Sequence, residues 1–396
     1  MRQINLKFKR AIFLFMVAFA SICNYAHAQV ATITSFNPLA ARPGDGLTII
    51  GTNFNTTAAN NIVYFGTVRA SVAAATATSL VVTVPDGAIY GPITIQNSST
   101  GLSSRSRASF IPIYSPAKNE ITNNDFSSNL DITTGSGPNA VAIGDLDGDG
   151  KLDVVVANQG SNTISVYRNT STSGTLNSTS FSSKVDFTTA TNPLSVAIGD
   201  LDQDGKQDIV VANVSSNSIS VFRNTSTSGS ITSGSFVAKV DFTTGSNPVS
   251  VAIGDLDGDG KFDIAVTNSN AGNVSVFRNT STNGSISTSS FAAKIDYLTG
   301  SNPYSVAIGD IDGDGNQDLV IANNGSDNVS VLRNYITGGT LTVHSFATLI
   351  NVAAGSSPRS VAIGDLNEDG KPDIVVANQS SNTVSVLRNN SSSGSI

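Results

Sequence analysis

Tryptophan is absent from the 396-residue chain, cysteine occurs once and histidine twice. The one cysteine, Cys23, falls within the first 28 residues, so no disulfide can tie the rest of the chain together. Stability must come instead from a core, from packing between repeats or from bound metal. Beyond residue 28 His344 is the only imidazole, and nucleophile–base pairs built on His or Cys are nearly excluded. No apolar run after Ile22 approaches the ~20 residues that a bilayer span requires. Helix-period patterns are missing as well. The composition is Ser, Thr, Asn and Gly with Val and Ile, which are turn and strand formers.

The first ten residues carry Arg2, Lys7, Lys9 and Arg10 without an acid. The apolar run Ala11–Ile22 follows, and then Ala26-His27-Ala28, a small-x-small cleavage signal. This order predicts a secretory signal peptide over 1–28 and a secreted or cell-surface location. Removing those four positive charges takes the formal net charge from −7 to −11. Such a balance argues against nucleic acid and anionic membrane surfaces as partners.

What the chain has in abundance is repetition. An aspartate-rich loop begins at Asp145, Asp200, Asp255, Asp310 and Asp365, always 55 residues apart. The same spacing relates Phe126, Phe181, Phe236, Phe291 and Phe346, and also Arg168, Arg223, Arg278, Arg333 and Arg388. Within one unit, FSSKVDF alternates as a half-buried edge strand does, SVAIG is a short strand of small and apolar residues, and DIVVAN and SISVF read as buried strands. Four strands per unit, repeated in series, predict propeller blades around an axis, with SVAIG innermost. Residues 30–114 lack this period. Their short alternating strands, broken by Gly/Pro turns, predict a small immunoglobulin-like β-sandwich. The polar stretch 115–124 reads as a linker. The expected fold is therefore all-β: a sandwich over 30–114 followed by a β-propeller of five four-stranded repeats over 125–396.

Two resemblances support this division. The segments PGDGLTIIGTNF (43–54), VYFG (63–66) and LVVTVP (80–85) resemble the IPT/TIG domain. The recurring SVAIGDLDGDGKxD followed by IVVAN resembles the FG-GAP/VCBS repeats of calcium-binding, integrin-alpha-like β-propellers. Such propellers commonly have seven blades and here there are five. Either Phe126–Thr134 closes a five-bladed ring against the last repeat, or the repeats belong to a longer protein.

Calcium explains why like charges are crowded into these loops. A hard cation takes six to eight oxygens, and alternate residues of a tight loop can direct several carboxylates to one point. In the third repeat Asp255, Asp257 and Asp259 would supply side chains, Gly260 the sharp turn, Lys261 its carbonyl, and Asp263 would close the shell. The resemblance implies the same roles. In register, the sets are Asp145, Asp147, Asp149, Lys151 and Asp153; Asp200, Asp202, Asp204, Lys206 and Asp208; Asp310, Asp312, Asp314, Asn316 and Asp318; and Asp365, Asn367, Asp369, Lys371 and Asp373. Up to five Ca²⁺ are expected, with the fifth loop weakest because Asn367 replaces a carboxylate. Gln203 and Glu368 are expected to point outward. An EF-hand is rejected, because loop position 12 of the third repeat is Val266 rather than Glu and lies in a strand. Acidic turns without metal would explain one such loop, but five in register argue against that.

Other features read as structure. Asp186, Asp241 and Asp296 each follow a lysine by two residues, as same-face ion pairs at strand edges do. The five arginines read as strand-end charges. RNTS and RNNS match a glycosylation sequon, and Ser/Thr-rich turns explain them equally. Asn139, Leu194, Val249, Tyr304 and Arg359 would ring one mouth of the channel, either as plain exposed positions or as ligand contacts. The expected function is a non-enzymatic, exported calcium-binding protein for adhesion or recognition of an extracellular protein or glycan. The alternative is a non-catalytic accessory region of a larger secreted, polysaccharide-degrading enzyme.

Overall fold

Eight strands make up the N-terminal domain: β1 (Thr32–Asn37), β2 (Ala40–Ala41), β3 (Gly46–Thr52), β4 (Asn61–Phe65), β5 (Val68–Ala75), β6 (Ser79–Thr83), β7 (Gly91–Asn97) and β8 (Ser103–Pro112). The computed structural model describes residues 30–113, 126–172, 174–336, 339–367 and 369–396. The predicted signal peptide (1–28) and the linker (115–124) lie outside them. The strands pair in the order β1-β3-β6-β5-β4-β7-β8-β2. One hydrogen-bonded series thus runs through both layers of the sandwich and is nearly closed. The turn between layers is possible because β5 pairs with both β4 and β6, with a register shift between Val72 and Ala74. Strand alternation sends Leu47, Ile49, Val63, Phe65, Leu80, Val82, Ile93, Ile95 and Phe110 into a common core. Phe65 and Phe110 meet edge to face at 4.7 Å.

The periodic part forms four four-stranded sheets and one of three strands. In the second sheet the inner strand is Pro193–Gly199, followed by Asp208–Asn213, Ser218–Phe222 and the outer Val240–Thr243. The strand read from KVDF or KIDY thus belongs to the sheet of the preceding repeat, which corrects the expected phase of the unit. Successive inner strands pack against one another, as blades around an axis do. Each acidic loop joins an inner strand to its neighbour, so identical topology puts all five on the same side.

Burial between blades explains why the same residue types recur in each unit. Val210, Ala212, Ile219 and Val221 of the second blade form one core with Val251, Ile264 and Val266 of the third. The opening phenylalanines of the third, fourth and fifth units seal the joints: Phe187 meets Phe236 at 5.0 Å, Phe242 meets Phe291 at 5.1 Å and Tyr297 meets Phe346 at 4.8 Å, all edge to face. A polar line crosses the first sheet, where Asn158 Nδ2 donates to Ser165 Oγ (2.9 Å) and Ser165 Oγ to Asp186 Oδ1 (2.6 Å). Asp186, Asp241 and Asp296 also pair with Lys184, Lys239 and Lys294 as expected.

The two ends of the array are open. Val384 and Val386 are 63% and 60% exposed, where their equivalents Val329 and Val331 are buried. Val141 at the opposite end is 65% exposed. Phe126–Thr134 forms no strand, Phe126 is exposed, and the last sheet has no fourth strand among the described residues. The ring is not closed by that segment.

Candidate metal centres

Each acidic loop is shaped by hydrogen bonds between its own carboxylates and amides. In the first, Gly150 N donates to Asp145 Oδ2 (3.1 Å), Asp149 N to Asp147 Oδ1 (3.2 Å) and Lys151 N to Asp149 Oδ1 (3.0 Å). Asp153 takes two backbone donors, Leu146 N at 3.0 Å and Asn169 N at 2.8 Å, and so anchors the loop from below. The pattern recurs with little change. The residue after the turn glycine donates to the third aspartate through Lys206 N (3.0 Å), Lys261 N (2.9 Å), Asn316 N (2.8 Å) and Lys371 N (3.0 Å). That glycine is left-handed throughout, with φ of 83° to 98° at Gly150, Gly205, Gly260, Gly315 and Gly370. An L side chain is strained at such an angle, so the turn depends on glycine.

The carboxylates converge. Oxygens of Asp145, Asp147 and Asp153 lie within 4.8 Å of one another, as do those of Asp200, Asp202 and Asp208, of Asp255, Asp257 and Asp259, and of Asp310, Asp312 and Asp318. The fifth loop gives no such group among the described residues, and its Asn367 and Asp369 are exposed. Three carboxylate oxygens, Asp145 Oδ1, Asp200 Oδ1 and Asp202 Oδ1, are buried without a hydrogen-bond partner. A buried acceptor left in this state is costly, and a cation is the partner that would relieve it. The residues present therefore fit a hard divalent ion.

Crowding and burial are visible in the acidities. Burial first, then neighbouring aspartates, pushes Asp200 and Asp255 up to about 7. Burial likewise takes Asp153 and Asp318 to about 7, and Asp145 and Asp259 to about 6. Asp208 and Asp263 are raised well above the ordinary value for the same reason. Asp369 in the open loop behaves oppositely. Its slight desolvation is outweighed by hydrogen bonds from Lys371 N, Asn367 and Arg388, which hold it below the usual range.

Several sequence readings need correction. The periodic arginines are not free strand-end charges; they bridge the second and third aspartates of their loops. Arg168 Nε lies 2.5 Å from Asp147 and its Nη2 2.7 Å from Asp149. Arg223, Arg278 and Arg333 do the same with Asp202 and Asp204, Asp257 and Asp259, and Asp312 and Asp314. Arg388 reaches only Asp369, at 3.4 Å. A signal was present, since each arginine follows its second aspartate position by 21 residues. Gln203 does not point outward: it is buried, and its Nε2 donates to Gly260 O at 3.4 Å. Glu368 lies outside the described residues.

The asparagines that follow the periodic arginines, in RNTS, RNNS and the fourth repeat's RNYI, hold neighbouring blades together. Asn224, Asn279, Asn334 and Asn389 each donate 2.7 Å hydrogen bonds to the carbonyls of Leu146, Leu201, Leu256 and Ile311 of the preceding acidic loop. Asn224 and Asn279 are fully buried, so the sequon reading fails there. His344 is exposed in a turn. Of the five channel-mouth positions Val249 is buried, so no exposed ring forms. Tyr304 and Arg359 do meet: the guanidinium carbon is 4.4 Å from the ring centroid and Nη2 donates to the tyrosine oxygen at 2.6 Å.

Residues 145–211, 200–266, 256–321 and 310–376 each match the FG-GAP-like repeat, 357–396 match the FG-GAP repeat, and 31–110 match the IPT/TIG domain. No curated protein matches the chain. Among solved structures, the chain is similar to an auxiliary nutrient binding protein from Bacteroides ovatus (12% identity, 91% of this chain and 98% of that one, TM-score 0.35). It is similar also to a functionally unknown protein from Desulfotomaculum acetoxidans (17%, 65% and 71%, TM-score 0.42). A third is a candidate phosphatase from Bacteroides thetaiotaomicron (13%, 91% and 97%, TM-score 0.26). Likenesses this distant carry no argument about function. The repeat matches span more than half of the chain, which therefore belongs to the FG-GAP-like repeat family, with an IPT/TIG domain preceding its repeats.

Proposed function

We propose that this is an exported, non-enzymatic recognition protein whose acidic loops bind up to five Ca²⁺. The observation that carries the reading is the set of buried, converging carboxylates with unpartnered oxygens at Asp145, Asp200 and Asp202. Three or four carboxylates per loop suit calcium better than magnesium, which keeps its waters and prefers fewer carboxylates. The non-catalytic part rests on composition: beyond residue 28 the one imidazole, His344, stands exposed in a turn away from the acidic loops. Export rests on the leader-like order of residues 1–28. The Tyr304–Arg359 pair is the candidate contact for an extracellular protein or glycan, since it combines an aromatic face with a guanidinium at one end of the inner strands. Calorimetric titration with CaCl₂ tests the calcium reading. Saturable binding at four or five sites with Kd on the order of 10⁻⁴–10⁻³ M is expected; no calcium-dependent heat up to 10 Kd of that range would contradict it.

A further inference from the structure

The Ig-like domain has two faces, and its outer face is buried where strand alternation alone would leave it wet. Along β7, Ile93 and Ile95 enter the sandwich core, so Thr94 and Gln96 point the other way. Yet Thr94 and Gln96 are only 8% and 2% exposed. On β4, Ile62 and Tyr64 are similarly buried opposite the core residues Val63 and Phe65. What covers this face is the acidic side of the repeats. Tyr64 Oη donates to Gly205 O at 2.9 Å, and Ser103 N to Gly260 O at 2.7 Å. The Arg105 guanidinium lies 4.8 Å from the centre of the Phe262 ring.

One contact enters a metal centre. Gln96 Nε2 donates to Asp200 Oδ2 at 2.8 Å, an oxygen that also accepts from Gly205 N at 2.9 Å. With two donors on Oδ2, the carboxylate is fixed and Oδ1 is left buried without a partner, as is Oδ1 of the adjacent Asp202. Gln96 Oε1 is buried without a partner too. For Asp145, Asp255 and Asp365 the hydrogen bonds come from amides of their own loops. Asp200 is held both by its own loop, through Gly205 N, and from another domain, through Gln96.

We propose that the second repeat's cation site is completed across the domain boundary, with Gln96 as the positioning residue for Asp200, so that cation binding at this loop and docking of the Ig-like domain form one linked equilibrium. The proposal rests on the calcium reading above. Groups that orient a metal ligand commonly contribute 10- to 100-fold in affinity. Linkage is reciprocal, so the ion strengthens docking by the same factor that docking strengthens ion binding.

The test is made on the full chain with Ca²⁺ as the only added ligand, by calorimetric titration and peptide-resolved hydrogen exchange. Gln96→Ala is expected to weaken one site about 10-fold and leave the others unchanged. In the unmodified protein, Ca²⁺ should slow exchange of β7 and β8; in Gln96→Ala this response should vanish while loops one, three and four still respond. Gln96→Glu keeps the volume but loses the N–H donor and adds a charge facing Asp200. It should undock the domain in chelator and redock it at saturating Ca²⁺, which loss of packing alone would not produce. If calcium loads the loops but Gln96→Ala changes neither the affinities nor the response of β7 and β8, the linkage is overturned and the calcium reading stands. If calcium binds nowhere, both fall.

Discussion

The second and fifth acidic loops start from nearly the same residues and end in opposite surroundings. Asp202 and Asp208 are fully buried, and so is Leu201, between Asp200 and Asp202. In the fifth loop Asn367 and Asp369 are exposed and Leu366 is 57% exposed. Neighbours make the difference. The Leu201 carbonyl accepts from Asn279 and Ser281 of the next repeat, and the loop is covered from above by Gln96 and Tyr64. The fifth loop has neither. In a repeat array the joints between units contribute to the stability of each, and here the same joints shape the candidate metal sites. The low rank expected for the fifth loop thus gains a second cause beyond its missing carboxylate, namely its open flank.

The largest break of this comparison is metal removal. Each site at ~10 Kd adds roughly 1.4 kcal/mol by mass action, so five would add about 7 kcal/mol, comparable with the whole stability of a typical domain. Differential scanning calorimetry should show the transition of the repeats fall steeply in chelator, while the core of residues 31–110, which holds no acidic loop, stays folded and loses only the contribution of docking.

Acidity should act in opposite directions with and without metal. Asp145, Asp153, Asp200, Asp255 and Asp318 have folded values of about 6 to 7, above the ~4 of an unfolded carboxyl. The metal-free fold therefore binds the extra protons. In chelator its stability should rise as pH falls from about 7 towards 4, and be lost as pH rises through 6 to 7. With saturating Ca²⁺ the carboxylates must stay ionised, so acidification over the same window should lower Tm. Melting curves at pH 5 and 7.5, each with and without chelator, check both signs.

The arginines sharpen the contrast at a smaller scale. Arg223 neutralises Asp202, which is fully buried. Arg223→Ala in chelator should cost on the order of 2 kcal/mol, because a buried carboxylate is left with its nearest cation removed. Arg388, 68% exposed and 3.4 Å from Asp369, should give no measurable change when replaced by Ala. Urea unfolding of the two variants measures the difference.

Much of this was legible in the sequence, because it is written at short range. The period of 55, the strand alternation and the aspartates with their turn glycines all act within one unit. The phase of the blade was misread because KVDF is adjacent in sequence to its own repeat but hydrogen-bonds to the strand before it. The arginines were misread because a charge 21 residues away along the chain is brought to the loop only by two intervening strands. Gln203 was read as outward because burial by the next repeat is invisible within its own. Gln96 had no local signal at all: its partner is 104 residues away in a different domain.

Calcium sites built by neighbours as much as by their own aspartates should load in the order of their cover. Hydrogen exchange resolved by repeat, followed through a Ca²⁺ titration, tests this most directly. The second loop should gain protection at the lowest concentration, the first, third and fourth next, and the fifth last. Unchanged protection in all five loops at millimolar Ca²⁺ would contradict the account.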